Sequence, residues 1–313
     1  MQAPVLRCSG LRKTYRDLVA VDDVSFHIEP GETYGLLGPN GAGKTTSISI
    51  AAGLLHADAG EVEVAGQRMT PHATDAKAAV GLVPQELAIY PDLTARENLR
   101  FFARLYEMDR QRIARRVDEV LEVIGLTDRA DDRASEFSGG MKRRLNIGIG
   151  LLHEPTLLIL DEPTVGVDPQ SRNAILESVE HLATEGMAVL YTTHYMEEAE
   201  RLCTRIGIID EGRIVAEGTR RELVATVGGQ DHVRLEVAGD AAAVAAACEA
   251  LEEVTSADLD DGGVACVVSD AAATLPHVLA AATGTGATIT GVEVHGADLE
   301  TVFLHLTGKA LRD

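Results

Sequence analysis

The sequence predicts an α/β protein with a mostly parallel sheet, followed by a smaller α+β domain. Apolar segments typical of buried strands alternate with helical segments through about the first 228 of the 313 residues. This order favours a parallel sheet that is covered by helices. A glycine-rich loop, Gly38–Thr45, separates an apolar strand from a helix. Beyond Gly228 the chain is rich in Ala and Asp and nearly free of Lys, so we expect two domains, 1–228 and 229–313.

The N-terminal strands alternate apolar and polar residues, which is the pattern of a strand with one buried face. The strands predicted up to residue 66 span 5–8, 19–28, 34–37 and 60–66. A helix is expected from Thr46, directly after the glycine-rich loop.

A helical stretch then interrupts the alternation. It follows a predicted strand, Val80–Gln85, and extends from Thr94 to Gly125. Thr94 and Glu97 have the spacing of a capping box, in which each side chain accepts a hydrogen bond from the other residue's free backbone N–H. Another helix is expected over 141–153. We therefore predict a helical subdomain over about residues 86–153.

Alternation resumes after this insertion. The predicted strands are 156–161, 187–192, 206–210 and 213–217, and the predicted helices are 170–184 and 195–203. Beyond Gly229 the element order is β-α-β-β-α-β, that of a ferredoxin-like fold, with one further helix. The elements of this second part are 233–237, 241–251, 254–259, 264–268, 275–282, 288–294 and 299–306. An irregular α+β appendage is the alternative interpretation.

Charge and composition exclude several classes of protein. The chain has 28 Lys and Arg against 49 Asp and Glu, a formal net charge of −21. A nucleic-acid-binding surface is basic, so we expect no nucleic-acid partner. No segment approaches the roughly 18–20 consecutive apolar residues of a membrane span, and the N-terminus lacks the pattern of a signal peptide. The sequence therefore predicts a soluble intracellular protein.

The glycine-rich loop has the pattern G-x-x-x-x-G-K-T of a P-loop NTPase. Its residues are Gly38, Pro39, Asn40, Gly41, Ala42, Gly43, Lys44 and Thr45. Successive backbone N–H groups of such a loop surround phosphate oxygens, and the following helix N-terminus favours negative charge. The ammonium group of Lys44 is expected to contact the β- and γ-phosphates, and the hydroxyl of Thr45 to bind Mg²⁺. A glycine-rich turn without a ligand is the structural alternative.

Two acidic residues end a later strand. Asp161 follows an apolar run, and Glu162 is next to it. With a P-loop upstream, Asp161 is expected to hold Mg²⁺ directly or through water. Glu162 is a candidate base for the attacking water. An acid that merely caps a neighbouring helix is the alternative reading of Asp161.

With these motifs, residues 4–220 resemble the nucleotide-binding subunit of an ATP-binding-cassette (ABC) transporter. The P-loop continues to Thr46 as in that family, and Phe137–Met141 resembles the signature L-S-G-G-Q. The segment Leu158–Pro163 resembles the family's second acidic motif with its catalytic glutamate. The signature departs from the pattern at Phe137 and Met141, which puts in doubt any contact from a glutamine side chain.

The resemblance implies a role for each matching residue. Tyr15 matches the aromatic residue that stacks on adenine, Gln85 the Q-loop glutamine that senses Mg²⁺ and water, and Asp168 the acid of the D-loop. His194 matches the histidine that contacts the γ-phosphate. The implied catalytic residues are Glu162, His194, Lys44 and Gln85, and the implied magnesium ligands are Thr45, Gln85 and Asp161. The implied nucleotide contacts are Tyr15, the eight P-loop residues, Thr46, Ser138, Gly139, Gly140 and Asp168.

The same resemblance implies a fold and partners. The cassette should contain an antiparallel β subdomain and a helical subdomain. Two such cassettes, either two copies or a homologous pair, should enclose two ATP molecules. A membrane-spanning permease on a separate chain should be the coupled partner and would hold the protein at the cytoplasmic face. The segments Ser138–Leu145 and Asp298–Phe303 are similar to those of exporter subunits of the daunorubicin-resistance type.

Two other functions fit part of the sequence. A soluble ABC ATPase of translation or DNA repair would lack a membrane partner, but such proteins usually carry two cassettes, basic segments or long coiled coils. A non-catalytic nucleotide-binding regulator is disfavoured by the presence of Lys44, Asp161, Glu162 and His194.

Overall fold

The first unit, which extends to Thr219, contains two sheets. The structure is a computed structural model that describes residues 3–226, 231–260, 263–295 and 298–308. One sheet is antiparallel, with the strand order β2-β1-β4-β5. Its strands are β1 (Leu6–Tyr15), β2 (Leu18–Ile28), β4 (Ala59–Val64) and β5 (Gln67–Arg68). It corresponds to the antiparallel subdomain implied by the resemblance.

The second sheet has six strands in the order β10-β9-β3-β8-β7-β6. These are β3 (Thr33–Leu37), β6 (Val80–Val83), β7 (Leu157–Asp161), β8 (Ala188–Thr193), β9 (Arg205–Asp210) and β10 (Arg213–Gly218). All neighbours are parallel except β10, which pairs antiparallel with β9. Every residue of β3, β7 and β8 is buried, as expected for parallel strands covered on both faces. The predicted mostly parallel sheet is confirmed.

The helices of the first unit are α1 (Lys44–Ala51), α2 (Thr74–Ala78), α3 (Ala95–Leu105), α4 (Arg110–Val123), α5 (Gly139–Leu151), α6 (Pro169–Thr184) and α7 (Met196–Leu202). Of these, α3, α4 and α5 correspond to the helical subdomain that the resemblance implies. Thr94 and Glu97 form the predicted capping box at the start of α3. Helices α3, α4 and α5 contact one another and contribute Leu99, Val117 and Leu145 to one core.

Several elements differ from the sequence prediction, among them β1, β6 and α1. Strand β1 continues to Tyr15, beyond the predicted end at Cys8. Its pairing with β2 is irregular between Cys8 and Leu11, and this irregularity interrupts the alternation of apolar and polar residues by which a strand is predicted. Strand β6 ends at Val83, so that Gln85 lies in the following loop. Helix α1 begins at Lys44, two residues earlier than predicted. None of the helices in the described part of the chain has both the length and the apolar composition that crossing a membrane requires.

The second unit begins at Arg220 and has its own core. Its elements are α8 (Arg220–Thr226), β11 (Asp231–Ala238), α9 (Ala241–Glu249), β12 (Val254–Asp260), β13 (Gly263–Val268), α10 (Ala271–Gly284), β14 (Thr288–His295) and α11 (Leu299–Thr307). The sheet is antiparallel in the order β12-β13-β11-β14. With α9 and α10 as the two crossover helices, this is the predicted ferredoxin-like arrangement.

The start of the second unit lies upstream of the predicted boundary between residues 228 and 229. Helix α8 contacts α11, and both helices therefore belong to the second unit. This grouping could not be predicted because the two helices are far apart in sequence. The segment Gly228–Gln230, on which the predicted boundary was placed, lies outside the described residues, and that boundary stays a prediction.

We predict that a chain ending at Thr219 folds on its own and binds ATP as the full chain does. The reason is that each unit encloses a separate hydrophobic core. A chain ending at Gly229 should behave similarly but keep α8 without α11. Thermal melting and an ATP titration check both truncations. Precipitation of both, or loss of a cooperative transition, would contradict the division.

Candidate nucleotide-binding site

The glycine-rich loop joins β3 to α1, as the sequence predicts. Gly43 precedes the helix with a φ of 104°, in the left-handed region that favours glycine. A Cβ at this position would also approach Ala20 O to 2.5 Å. A Cβ at Gly38 would overlap the carbonyl oxygen of Ile209 on β9. Both glycines are therefore required by close backbone contacts with neighbouring strands.

Lys44 lies inside the loop. Its ammonium Nζ donates hydrogen bonds to Gly38 O at 2.7 Å and Pro39 O at 3.0 Å. The same nitrogen lies 2.9 Å from Glu162 Oε1, and the lysine side chain is only 4% exposed. The loop is also held at Ala42, whose carbonyl oxygen accepts a hydrogen bond from Gly212 N. The loop thus surrounds a buried cation.

Asp161 ends β7 beside the first turn of α1. Its Oδ1 accepts a hydrogen bond from Thr192 Oγ1 at 2.9 Å and lies 3.5 Å from Thr45 Oγ1. Burial raises the pKa of Asp161 above its ordinary value, while the two hydroxyl groups oppose that shift. A carboxylate next to a hydroxyl oxygen is a donor set that suits Mg²⁺.

Glu162 is the next residue and has an unusual backbone conformation. Its φ is +43°, a left-handed value that non-glycine residues seldom adopt and that is frequent at functional sites. The backbone N–H of Glu162 donates to Thr192 Oγ1 at 3.0 Å. His194 Nδ1 lies 3.3 Å from Glu162 Oε2, on the side opposite the lysine contact with Oε1. Glu162 therefore stands between a lysine and a histidine, with 6% of its surface exposed.

Sequence reasoning missed Thr192. One hydroxyl of this residue contacts both Asp161 and the backbone of Glu162. The parallel register of β7 and β8 places Thr192 directly opposite Asp161. A threonine at the end of the next parallel strand is the signal that could have identified it, once the strand order was known.

A second missed group holds the segment around His194. The ring of His194 lies 4.1 Å from the ring of Tyr195, and the guanidinium of Arg172 lies over the Tyr195 ring, 4.2 Å from its centre. Arg172 also donates to Glu198, which is 1% exposed and accepts a further hydrogen bond from Thr193 Oγ1. A buried carboxylate with these donors fixes the start of α7 and with it the histidine.

Half of the predicted site residues line one open cleft of about 380 Å³. Its lining residues are Tyr15, Leu18, Ala20, Asn40, Gly41, Gly43, Lys44, Thr45, Thr46, Gln85 and Glu162. Tyr15 is 46% exposed there, and Gln85 is also exposed. The structure therefore brings the aromatic residue, the phosphate loop, the loop glutamine and the acid together. Leu18 and Ala20 were not predicted.

Ser138, Gly139, Gly140 and Asp168 form a separate cluster. Ser138 caps α5, and its Oγ accepts a hydrogen bond from Met141 N. A Cβ at Gly140 would overlap Ser171 Oγ. Asp168 caps α6 by accepting hydrogen bonds from the backbone N–H and hydroxyl of Ser171, and these bonds lower the pKa of the carboxyl. In the described part of the chain, none of these residues lines the cleft.

Comparison with known proteins settles the family. The family model described as "ABC transporter" matches residues 21–165. The chain is 45% identical over 311 residues to the linearmycin resistance ATP-binding protein LnrL of Bacillus subtilis, with 99% of this chain and 100% of that relative covered. The chain belongs to the ABC transporter family. It is an ATP-hydrolysing, ATP-binding subunit of the export type, as the resemblance implied.

Further similarities agree with this assignment. The chain is 41% identical over 313 residues to the Nod factor export ATP-binding protein I of Paraburkholderia xenovorans, covering 100% of both. A solved ATP-binding subunit of an ABC transporter is 32% identical, with a TM-score of 0.64 over 72% of this chain and 93% of that one. A dimeric cassette in a post-hydrolysis state, bound to ADP and Pi, is 25% identical, with a TM-score of 0.61 over 68% of this chain and 98% of that one.

Proposed function

We propose that this chain hydrolyses ATP at a site completed by a second copy of itself, and that closure of the two copies powers a separate membrane permease. The observation that carries the proposal is the separation of two clusters. Tyr15, the phosphate loop and Glu162 surround one cleft, whereas Ser138 and Asp168 lie outside it. Residues of both clusters belong to the nucleotide site that the resemblance implies, so one chain supplies two different halves.

The cleft supplies the binding half. Tyr15 presents an exposed ring on which an adenine can stack. The backbone N–H groups of Gly41 to Thr45 and the N-terminus of α1 favour the phosphates. Lys44 already has two carbonyl contacts that fix its direction toward this region. We propose that these groups bind ATP.

Thr45, Asp161 and Gln85 are the proposed magnesium ligands. The fit rests on the short distance between the Thr45 hydroxyl and the Asp161 carboxylate, and on the exposed Gln85 at the same cleft. A nearby cation would favour the charged form of Asp161, whose pKa burial raises. When bound there, Mg²⁺ would supply positive charge that offsets the negative charge of the phosphate groups.

Glu162 is the proposed base for the attacking water. Its carboxylate is placed by contacts on both oxygens, from Lys44 on one side and His194 on the other. Accepting a proton there lets water attack the γ-phosphorus in line with the leaving ADP oxygen. Lys44 and the loop N–H groups stabilise the charge that develops on the phosphoryl oxygens.

The second half of each site is proposed to come from the partner copy. Ser138 Oγ, the N–H of Gly140 and the N-terminus of α5 would face the γ-phosphate bound by the other chain. Met141 leaves all three groups in place, because its own contact to Ser138 is made by the backbone. The relationship to a dimeric ADP-bound cassette supports this arrangement.

Replacing Ser138 by Asp tests the shared site. Asp is also a good helix cap, so α5 should remain folded. A negative charge at this position should repel the partner's γ-phosphate and lower kcat roughly tenfold or more. ATP affinity measured by titration should stay at the wild-type value. Thr94→Asp, the same kind of change at the cap of α3, is the control and should leave turnover unchanged. Wild-type turnover in Ser138→Asp would contradict the shared site.

An integral-membrane permease on another chain is the proposed transport partner, which would hold this subunit at the cytoplasmic face of the membrane. The relatives are named for linearmycin resistance and for Nod factor export, which supports an exporter. Co-purification from native membranes tests the partnership. We expect an integral-membrane protein to be recovered with this chain. Recovery of the free chain alone would favour an ABC ATPase without a membrane partner.

A further inference from the structure

Arg143 connects helix α5 to the loop that carries Gln85. Its guanidinium donates from NH1 to Pro84 O at 2.9 Å and from NH2 to Gln85 O at 2.6 Å. The residue is only 5% exposed. Two donors of one planar group thus hold two consecutive backbone carbonyls. Such a paired contact fixes the direction of the loop backbone as well as its position.

Asn146, one turn further along α5, holds the same loop. Its Oδ1 accepts a hydrogen bond from Ala88 N at 3.1 Å. Near its other end, α5 approaches β6 so closely that a Cβ at Gly81 would overlap Gly150 O. The loop that follows β6 is therefore attached to α5 at several points along its length.

The same helix begins at the Ser138 cap. Gly140, in its first turn, packs directly on Ser171, whose hydroxyl and N–H are both bound by Asp168. Arg143 lies one turn after Gly140. One face of α5 therefore contacts the Gln85 loop. Its first turn carries the groups that we propose contact the ATP bound by the partner copy.

We propose that Arg143 is a positioning residue that makes the Gln85 loop and the Ser138 cap move as one body. Binding of ATP in this chain's cleft then orders the groups at the Ser138 cap that contact the ATP bound by the partner copy. This inference rests on the proposed function, because it uses the roles given there to Gln85 and Ser138. Arg143 lies outside the described cleft lining and acts through the backbone of the loop.

An arginine suits this role better than other side chains. Lysine has one nitrogen on a flexible chain and can satisfy the two carbonyls less well than a rigid fork. Glutamine is neutral and too short to take both. We therefore expect the effect of substitution to increase from Arg143→Lys to Arg143→Gln.

The test is a double-mutant cycle measured as kcat for ATP hydrolysis by the full chain. Arg143→Gln should lower kcat roughly tenfold, because small displacements of catalytic groups have large effects on rate. ATP affinity should stay unchanged, since the phosphate loop and Tyr15 are not touched. In a chain that already carries Gln85→Ala, adding Arg143→Gln should lower kcat less than about twofold, because residues that act as one unit are not additive.

Arg144→Gln is the matched control. Arg144 is the next residue on α5 and also donates to backbone carbonyls, those of Ile124 and Gly125, but not to the Gln85 loop. Its effect on kcat should multiply with that of Gln85→Ala. Melting temperatures report loss of fold, and Arg143→Lys replaces Arg143→Gln in the cycle if the glutamine variant unfolds.

Two results would overturn the inference, and they are distinguishable. If Gln85→Ala and Arg143→Gln lower kcat by factors that multiply, Arg143 does not act through the loop, while the proposed site stands. If Gln85→Ala alone leaves kcat unchanged, the role of Gln85 in the proposed function fails, and the inference fails with it.

Discussion

Glu162→Gln is expected to lower kcat for ATP hydrolysis by roughly 10²-fold or more, as the loss of a catalytic base does. The amide keeps the size of the side chain but cannot take a proton from water. Lys44 retains its two carbonyl acceptors in the phosphate loop, so the loop should keep its shape. ATP binding should remain, and the variant should accumulate an ATP-bound dimer. Release of phosphate at saturating ATP measures the effect.

The control for this variant is Glu63→Gln. Glu63 is an exposed residue of β4 in the antiparallel sheet, so the same chemical change there should leave kcat at the wild-type value. Unchanged turnover in Glu162→Gln would remove this residue from the role of base. His194, the nearest other candidate, would then need the same test.

Lys44→Ala is expected to weaken ATP binding by about tenfold to a hundredfold, because a hydrogen bond to a charged group contributes roughly 1.5–3 kcal/mol. Among the described residues that line the cleft, the lysine is the only one with a positive charge. Turnover should also fall, since its charge is then missing where charge develops on the phosphoryl group. Equilibrium titration with ATP gives the affinity.

Lys77→Ala is the matched control for this substitution. Lys77 also donates to a backbone carbonyl, that of Pro71 at 2.7 Å, but it does not line the cleft. Its replacement should leave ATP affinity unchanged. If Lys44→Ala binds ATP as tightly as the wild type while Lys77→Ala behaves as expected, the phosphate-loop assignment is wrong.

The centre of the site could be predicted because its residues belong to short motifs. Lys44 and Thr45 follow the glycine loop directly, and Asp161 and Glu162 end one apolar strand. In such motifs the local backbone places the side chain, so the sequence carries the necessary information. The parallel sheet could also be predicted, because apolar strands and helices alternate along the sequence.

Contacts between distant segments could not be predicted in this way. Thr192 reaches Asp161 only because β8 pairs in parallel with β7. Glu198 accepts hydrogen bonds from Arg172 on α6 and Thr193 on β8, and Arg143 contacts a loop 58 residues earlier in the chain. The start of the second unit depends likewise on the contact of α8 with α11. These features follow from strand order and packing, which a single sequence does not state.

The mass of the Glu162→Gln variant in solution, measured by light scattering during gel filtration, tests the shared site most directly. With saturating ATP we predict twice the mass of one chain, and the mass of one chain without nucleotide. Adding Ser138→Asp to this variant should return the ATP-bound protein to one chain, whereas adding Thr94→Asp should leave the dimer intact. A variant that binds ATP by titration yet keeps the mass of a single chain would contradict the shared site.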